Sequence, residues 1–200
     1  EAGRFSDEAF GGERPYTIYF SKRVSRATAT NEAVPSYVGL VDSLDYECEL
    51  GVVLARDCRA VTKEQARNYI FGYTMINDIS ARNLQTLHKQ WYLGKSLDGF
   101  TPMGPCLVTA DEIGDEQNLD ISCTVNGELR QSSNTKYMIQ TVCGAISELS
   151  QGMTLQAGTI IATGTPAGVG MGMQPPTFLK TGDEIVCRIE KIGALRNVID

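Results

Sequence analysis

The alternating run Leu119-Asp120-Ile121-Ser122-Cys123-Thr124-Val125, broken by Asn126-Gly127 and resumed by Glu128-Leu129-Arg130-Gln131, constrains the fold more than any other segment. Apolar and polar residues in strict alternation give a strand one buried face, and Asn-Gly between two such runs is the strongest short-range signal for a hairpin. Other strands are expected over residues 16–20, 45–55, 70–76, 159–163 (a buried one) and 183–189, the last of the chain. Thr62-Lys63-Glu64-Gln65 has the Thr-x-x-Gln form of a capping box that opens a short helix. Ser80 is placed to cap another. Ile139, Val142, Ile146 and Leu149 recur at helical spacing and mark an amphipathic helix packed on the core. Many strands, few short helices and no regular βαβ alternation define an α+β class: mixed, mostly antiparallel β with helices packed outside.

Two hundred residues, 42% apolar and 21% charged, suit one globular domain with a real core. A formal charge of -6, with the eighteen Lys and Arg scattered, argues against nucleic-acid or anionic-membrane partners. No apolar run reaches the roughly eighteen residues needed to span a bilayer, and the first residues lack the regions of a signal peptide, so the expected location is cytoplasmic. Residues 1–14 are polar and glycine-containing, and read as a mobile lead-in to the domain over 15–200. The six cysteines form no Cys-x-x-Cys pair, and four lie in apolar stretches, so buried free thiols are expected.

Asp45-Tyr46-Glu47-Cys48-Glu49-Leu50, followed downstream by Asn77-Asp78, carries the functional signal. On one strand Asp45, Glu47 and Glu49 would share a face, and like charges at that spacing repel unless a cation sits among them. A solvated strand face is the plain alternative.

Further motifs align with this one. Asp45-Tyr46-Glu47-x-Glu49-Leu50, Gly72-Tyr73-Thr74, Asn77-Asp78-x-Ser80-Ala81-Arg82-Asn83-x-Gln85, Gly94-Lys95-Ser96-x-Asp98-Gly99-Phe100, Val125-Asn126-Gly127-Glu128 and Thr163-Gly164-Thr165-Pro166-x-Gly168-Val169-Gly170 resemble the fumarylacetoacetate hydrolase family. The resemblance covers residues 15 to 199 and implies a β-roll fold, a homodimer and a Mg²⁺ or Mn²⁺ ion. Position by position it implies metal ligands Glu47, Glu49 and Asp78, an active-site lysine at Lys95, and pocket residues Arg82, Gln85 and Thr165, Thr165 as a substrate-carboxylate contact. Asp45 is no family ligand and is given a structural or outer-shell role. Three carboxylates without imidazole or thiolate suit an oxygen-preferring ion, with open positions for a chelating 2-oxo acid.

Hydrolytic and decarboxylating members use a His-Glu pair in an N-terminal lid, and no matching histidine occurs here. His88, the only one, reads as a polar helix end. The resemblance implies that Glu1 is that glutamate or lies beside it, with the histidine just upstream. The expected activity is metal-dependent hydrolysis of a carbon–carbon bond in a small 2-oxo or 2,4-dioxo acid. Isomerisation of a hydroxymuconate-like diacid and decarboxylation of oxaloacetate are the rivals within the family. A domain holding a structural cation is the alternative outside it.

Overall fold

The computed structural model describes residues 16–200, so the lead-in over 1–14 and Glu1 lie outside the described residues. One sheet contains β1 (Ala33–Val34), β7 (Asp120–Val125), β8 (Glu128–Asn134), β10 (Glu184–Ile189) and β11 (Gly193–Ile199), in the order β1-β11-β10-β7-β8. A second contains β3 (Cys48–Leu54), β4 (Ile70–Asn77), β6 (Met103–Thr109) and β9 (Ile160–Ala162), in the order β6-β4-β3-β9. A two-stranded ladder pairs β2 (Leu44–Asp45) with β5 (Ser80–Ala81). All ladders between these strands are antiparallel except β1 on β11. Among the described residues five short α-helices lie between the strands: α1 (Lys63–Ala66), α2 (Arg82–Leu87), α3 (Tyr92–Lys95), α4 (Ala110–Ile113) and α5 (Val142–Ser150). No helix among the described residues is long and apolar enough to cross a membrane.

The Asn126-Gly127 hairpin forms as its residues demand, joining β7 to β8 with both turn residues at positive φ, 51° and 79°. The alternation then slips by one residue: Thr124 pairs with Leu129 but Cys123 with Gln131, so Arg130 is the extra residue of a bulge. The slip leaves Leu129 exposed and drives Gln131, a polar side chain, fully inside. On the same sheet Ile121, Cys123, Val125, Ile185, Cys187, Ile189 and Leu195 bury an apolar face. Cys48, Cys58, Cys123 and Cys187 are buried free thiols, whereas Cys106 is exposed and Cys143 half-buried. At α1 the capping box closes, with the Thr62 N–H donating to Gln65 Oε1 at 3.0 Å.

Several expectations are corrected. The acidic segment is not one strand: Asp45 pairs with Ser80 in one ladder and Cys48 with Asn77 in another, and Tyr46-Glu47 carry the chain between them. Residues 16–20 form no strand, and Tyr16 and Ile18 stand in solvent. β9 is a sheet edge rather than a buried strand, paired only with β3 and leaving Ile160 exposed. Ser80 lies in β5 and its hydroxyl donates to the Asp78 carbonyl, so Ala81 holds the α2 N-cap position. Ile139 precedes α5, which starts after Thr141, whose hydroxyl oxygen accepts from the Gly144 N–H at 3.0 Å. The chain does not end on β10. Strand β11 follows it, its inward face interrupted by Asn197, a buried amide whose nitrogen donates to the Ala29 and Glu32 carbonyls.

Candidate active site

Strand register builds the site. Cys48 faces Asn77 at the end of the β3–β4 ladder, and one step beyond it the Asp78 N–H donates to the Glu47 carbonyl at 2.8 Å. The Asn77 side-chain oxygen accepts from the Glu47 N–H at 2.9 Å and pins the crossing. Glu49, two residues along from Glu47, comes to the same place, so each of Glu47, Glu49 and Asp78 offers a carboxylate oxygen within 4.8 Å of the others. All three are buried, at 9%, 3% and 2% exposure. Burial, joined by the Asp78 and Glu47 charges, pushes the Glu49 carboxyl well above the usual range. Only oxygen donors converge here, and their closeness, charge and burial fit a hard divalent cation.

Three basic side chains meet this charge. Lys95 ends α3, where Gly94 lets two helices touch: a Cβ there would lie 2.6 Å from the Gln85 backbone nitrogen. The Lys95 ammonium, 2% exposed, donates to Glu47 Oε2 at 2.8 Å and to Asp78 Oδ2 at 2.7 Å. Burial alone would lower its pKa, but the two carboxylates outweigh burial and hold it above the ordinary lysine value. Lys22 bonds the other Asp78 oxygen and donates to the Phe100 carbonyl at 2.6 Å. For this lysine burial outweighs the Asp78 charge and lowers the pKa. Arg82, at the start of α2, contacts Glu47 Oε1 at 2.6 Å through Nη1, which also donates to Gln85 Oε1 at 3.0 Å.

The 164–171 loop closes the other side. The Gly164 N–H donates to Glu49 Oε2 at 2.9 Å. The Thr165 hydroxyl donates to the Cys48 carbonyl at 3.0 Å and accepts from Gln131 Nε2 at 2.7 Å. Gln131 also accepts from the Cys48 N–H at 3.1 Å, so Cys48, between the two glutamates, is held from both backbone groups. Phe20 reaches over Lys95, its ring centroid 5.4 Å from Nζ, and meets Trp91 edge to face at 5.3 Å.

Glu47, Glu49, Asp78, Lys95, Arg82 and Gln85 therefore form one connected cluster. Thr165 is joined to it through Cys48, with its hydroxyl already engaged in two hydrogen bonds. His88 is exposed at the end of α2. Two residues escaped the sequence reading. Lys22 follows the aromatic run that was expected to be a strand, and locally nothing separates it from a surface lysine. Gln131 left no usable signal either: regular pairing from the Asn126-Gly127 turn would face it outward, and only the bulge at Arg130 turns it in.

Comparison with known proteins adds the lineage. The profile of the fumarylacetoacetate (FAA) hydrolase C-terminal family matches residues 4–200. Oxaloacetate tautomerase YisK of Bacillus subtilis (strain 168) is 47% identical over 184 residues, 92% of this chain and 61% of that protein. The solved structure of fumarylacetoacetate hydrolase (EaFAH) from psychrophilic Exiguobacterium antarcticum superposes with a TM-score of 0.84 at 47% identity, covering 86% of this chain and 62% of that one. 5-Carboxymethyl-2-hydroxymuconate delta-isomerase from Mycobacterium smegmatis gives a TM-score of 0.85 at 32% identity, covering 99% of this chain and 74% of that one. The chain spans about three fifths of the length of the curated relatives it matches, 61% in the first case.

Proposed function

From the premise that the chain belongs to the fumarylacetoacetate hydrolase family, we propose that its site interconverts the enol and keto forms of a small 2-oxo diacid. The observation that carries this reading is the buried Lys95 ammonium bridging Glu47 and Asp78, with Lys22 on the second Asp78 oxygen. Enol–keto exchange passes through an enolate, whose oxygen gains charge as the carbon gives its proton to a single water molecule, which then returns a proton to that oxygen to complete the enol. Fixed cations in a water-poor pocket favour that charge far more than they would in bulk water. A divalent ion such as Mg²⁺ or Mn²⁺ on Glu47, Glu49 and Asp78 would supply Lewis-acid polarisation of the keto oxygen.

The chain's own residues do the rest. Lys95 stabilises the enolate oxygen, and Lys22 adds a second positive charge beside it, which suits a doubly charged substrate. Arg82, held by Gln85, orients a substrate carboxylate, and Phe20 and Trp91 keep water from that side. The name of the Bacillus subtilis relative, an oxaloacetate tautomerase, supports oxaloacetate as the first substrate to test. The working unit in this reading is a homodimer, checked by sedimentation at twice the chain mass.

A second reading, hydrolysis of the carbon–carbon bond of an acylpyruvate, is favoured by the match to the Exiguobacterium hydrolase. It needs a base that activates water, in addition to the same enolate stabilisation. Decarboxylation of oxaloacetate would draw on that enolate too. Incubation with Mg²⁺ and, separately, oxaloacetate, acetylpyruvate and a hydroxymuconate, followed by enol absorbance and NMR of products, distinguishes them. Accelerated loss of enol-oxaloacetate absorbance with no fragment formed is the expected result. Acetate and pyruvate from acetylpyruvate, with no effect on the oxaloacetate equilibration rate, would replace the tautomerase reading by the hydrolase one.

A further inference from the structure

We infer that Asp45 is a positioning residue that sets the metal ligand Glu47 through Arg82 and, at the same time, ties the glycine loop to that arginine. The inference rests on Glu47, Glu49 and Asp78 being the cation site. Asp45 is not among those three, yet it is fully buried, and both of its oxygens are used twice. Oδ1 accepts from the N–H groups of Tyr46 at 2.9 Å and Gly170 at 2.7 Å. Oδ2 accepts from the Met171 N–H at 2.9 Å and from Arg82 Nε at 2.9 Å. A carboxylate is the group that can accept at all four positions, because an amide in its place would turn a donor toward two of these donors.

The loop end it grips has no slack. A Cβ on Gly170 would lie 2.1 Å from the Thr177 carbonyl oxygen and 2.9 Å from Asp45 Oδ1, so backbone and carboxylate approach as closely as glycine permits. From Arg82 the chain of contacts continues through Nη1 to Glu47 Oε1 at 2.6 Å and to Gln85. Asp45 thus does two things to Arg82. It holds the planar guanidinium at its Nε edge, which fixes where the Nη1 edge meets Glu47. It also shares the arginine's charge, so that Glu47 is not the sole partner of that cation and stays available to another.

Removing the Asp45 charge should therefore release the guanidinium and strengthen its hold on Glu47, and both effects weaken cation binding. The test uses Mn²⁺ alone, titrated into metal-free protein by calorimetry and by the loss of the free-ion EPR signal, so it needs no turnover. Loss of such a supporting contact costs roughly 10–100-fold in metal affinity, and that fall is expected for Asp45→Asn. A rise in KM larger than the fall in kcat should accompany it. Arg82→Lys, which keeps the charge but loses the fork, should show a similar fall, and the double variant should lose little more than either alone. A purely structural role would lower the melting temperature but leave the Mn²⁺ affinity of the folded fraction intact. Wild-type-like affinity in a folded Asp45→Asn protein overturns the inference. So does a double variant whose loss is the product of the two single losses. If Asp45→Asn does not fold, Arg82→Lys with unchanged affinity overturns it. Absence of Mn²⁺ binding by the wild type overturns the cation site and this inference with it.

Discussion

Two parts of the molecule are equally withdrawn from water and are held by opposite means. The inner face of the five-stranded sheet, with Ile121, Cys123, Ile185, Cys187 and Leu195, is apolar and needs nothing but contact. The acidic junction where β2, β3 and β4 meet buries Asp45, Glu47 and Asp78 paired with Arg82 or Lys95, and Glu49 held by the Gly164 N–H. Apolar burial is favourable at about 25 cal/mol per Å², whereas buried ion pairs at best roughly break even against desolvation. The junction therefore does not exist to stabilise the fold. Its arrangement of close, buried carboxylates is one that could hold a cation.

Substitutions that remove one partner should separate the two regions most sharply at Lys95. Lys95→Met leaves Glu47 and Asp78 without their shared ammonium. Breaking a buried pair in this way costs about 3–5 kcal/mol, to be read from urea unfolding in chelator. The turnover rate should fall by about 10²–10³, the usual loss for one fixed donor to a developing oxyanion. Mg²⁺ should raise the melting temperature of this variant by more than it raises that of the wild type, because the ion supplies part of the missing charge. Equal Mg²⁺ shifts would show that Lys95 does not balance the site. On the apolar side, Ile185→Ala, at a position 1% exposed, should cost about 2–5 kcal/mol through lost contact and a cavity. Its Mn²⁺ affinity should match the wild type, and a fall in that affinity would mean that the two regions are mechanically coupled.

The pH dependence of the metal-free protein gives a smaller contrast. Burial raises the Glu49 carboxyl well above its ordinary 4.5, so the folded protein keeps a proton that the unfolded chain has already released. Stability from this group is present in full below the unfolded value and is lost as pH rises toward the raised one, with a slope of at most about 1.4 kcal/mol per pH unit. Urea unfolding in chelator across that interval should show the decline, and Glu49→Gln should flatten it. An unchanged slope in Glu49→Gln would place the titration elsewhere. The apolar face carries only thiols as titratable groups, and the Cys123 hydrogen bond holds the Cys187 thiol well above its ordinary value, so Ile185→Ala should shift the profile over the carboxylate interval without changing its shape.

The two regions also differed in how far the residues revealed them. Apolar alternation and Asn126-Gly127 located the β7–β8 hairpin because both signals are local, and Thr62 with Gln65 located α1 for the same reason. The carboxylates of the junction were legible as a group through the resemblance to the family, because Glu47 and Glu49 alone read equally as a solvated strand face and nothing local tied Asp78 to them. What joined them was not legible. Lys22 reaches Asp78 across 56 positions and Gln131 reaches Cys48 across 83, and contacts at such separation leave no local trace. Strand β11 was missed because Asn197 breaks its inward pattern to satisfy two distant carbonyls. Residues 16–20 misled in the other direction: their aromatic and β-branched residues suit a strand, but one of those aromatics, Phe20, is used against Lys95 and Trp91.

The smallest expected effect tests whether the hairpin is a purely local device. Gly127 sits at φ 79°, and a Cβ added there would meet nothing within 4 Å, so Gly127→Ala introduces strain without a clash. Placing an L residue in that conformation costs about 1 kcal/mol. The turn's neighbour Asn126 exchanges hydrogen bonds with Glu184, its backbone N–H donating to the Glu184 carbonyl and its side-chain oxygen accepting from the Glu184 N–H, both at 2.9 Å. None of these partners is a charged member of the junction. Gly127→Ala should therefore lower the urea midpoint slightly while leaving kcat, KM and Mn²⁺ affinity unchanged. A loss of several kcal/mol, or any change in Mn²⁺ affinity, would show that the bulge at Arg130 transmits strain from the turn to Gln131, and from there to Cys48, the residue between Glu47 and Glu49.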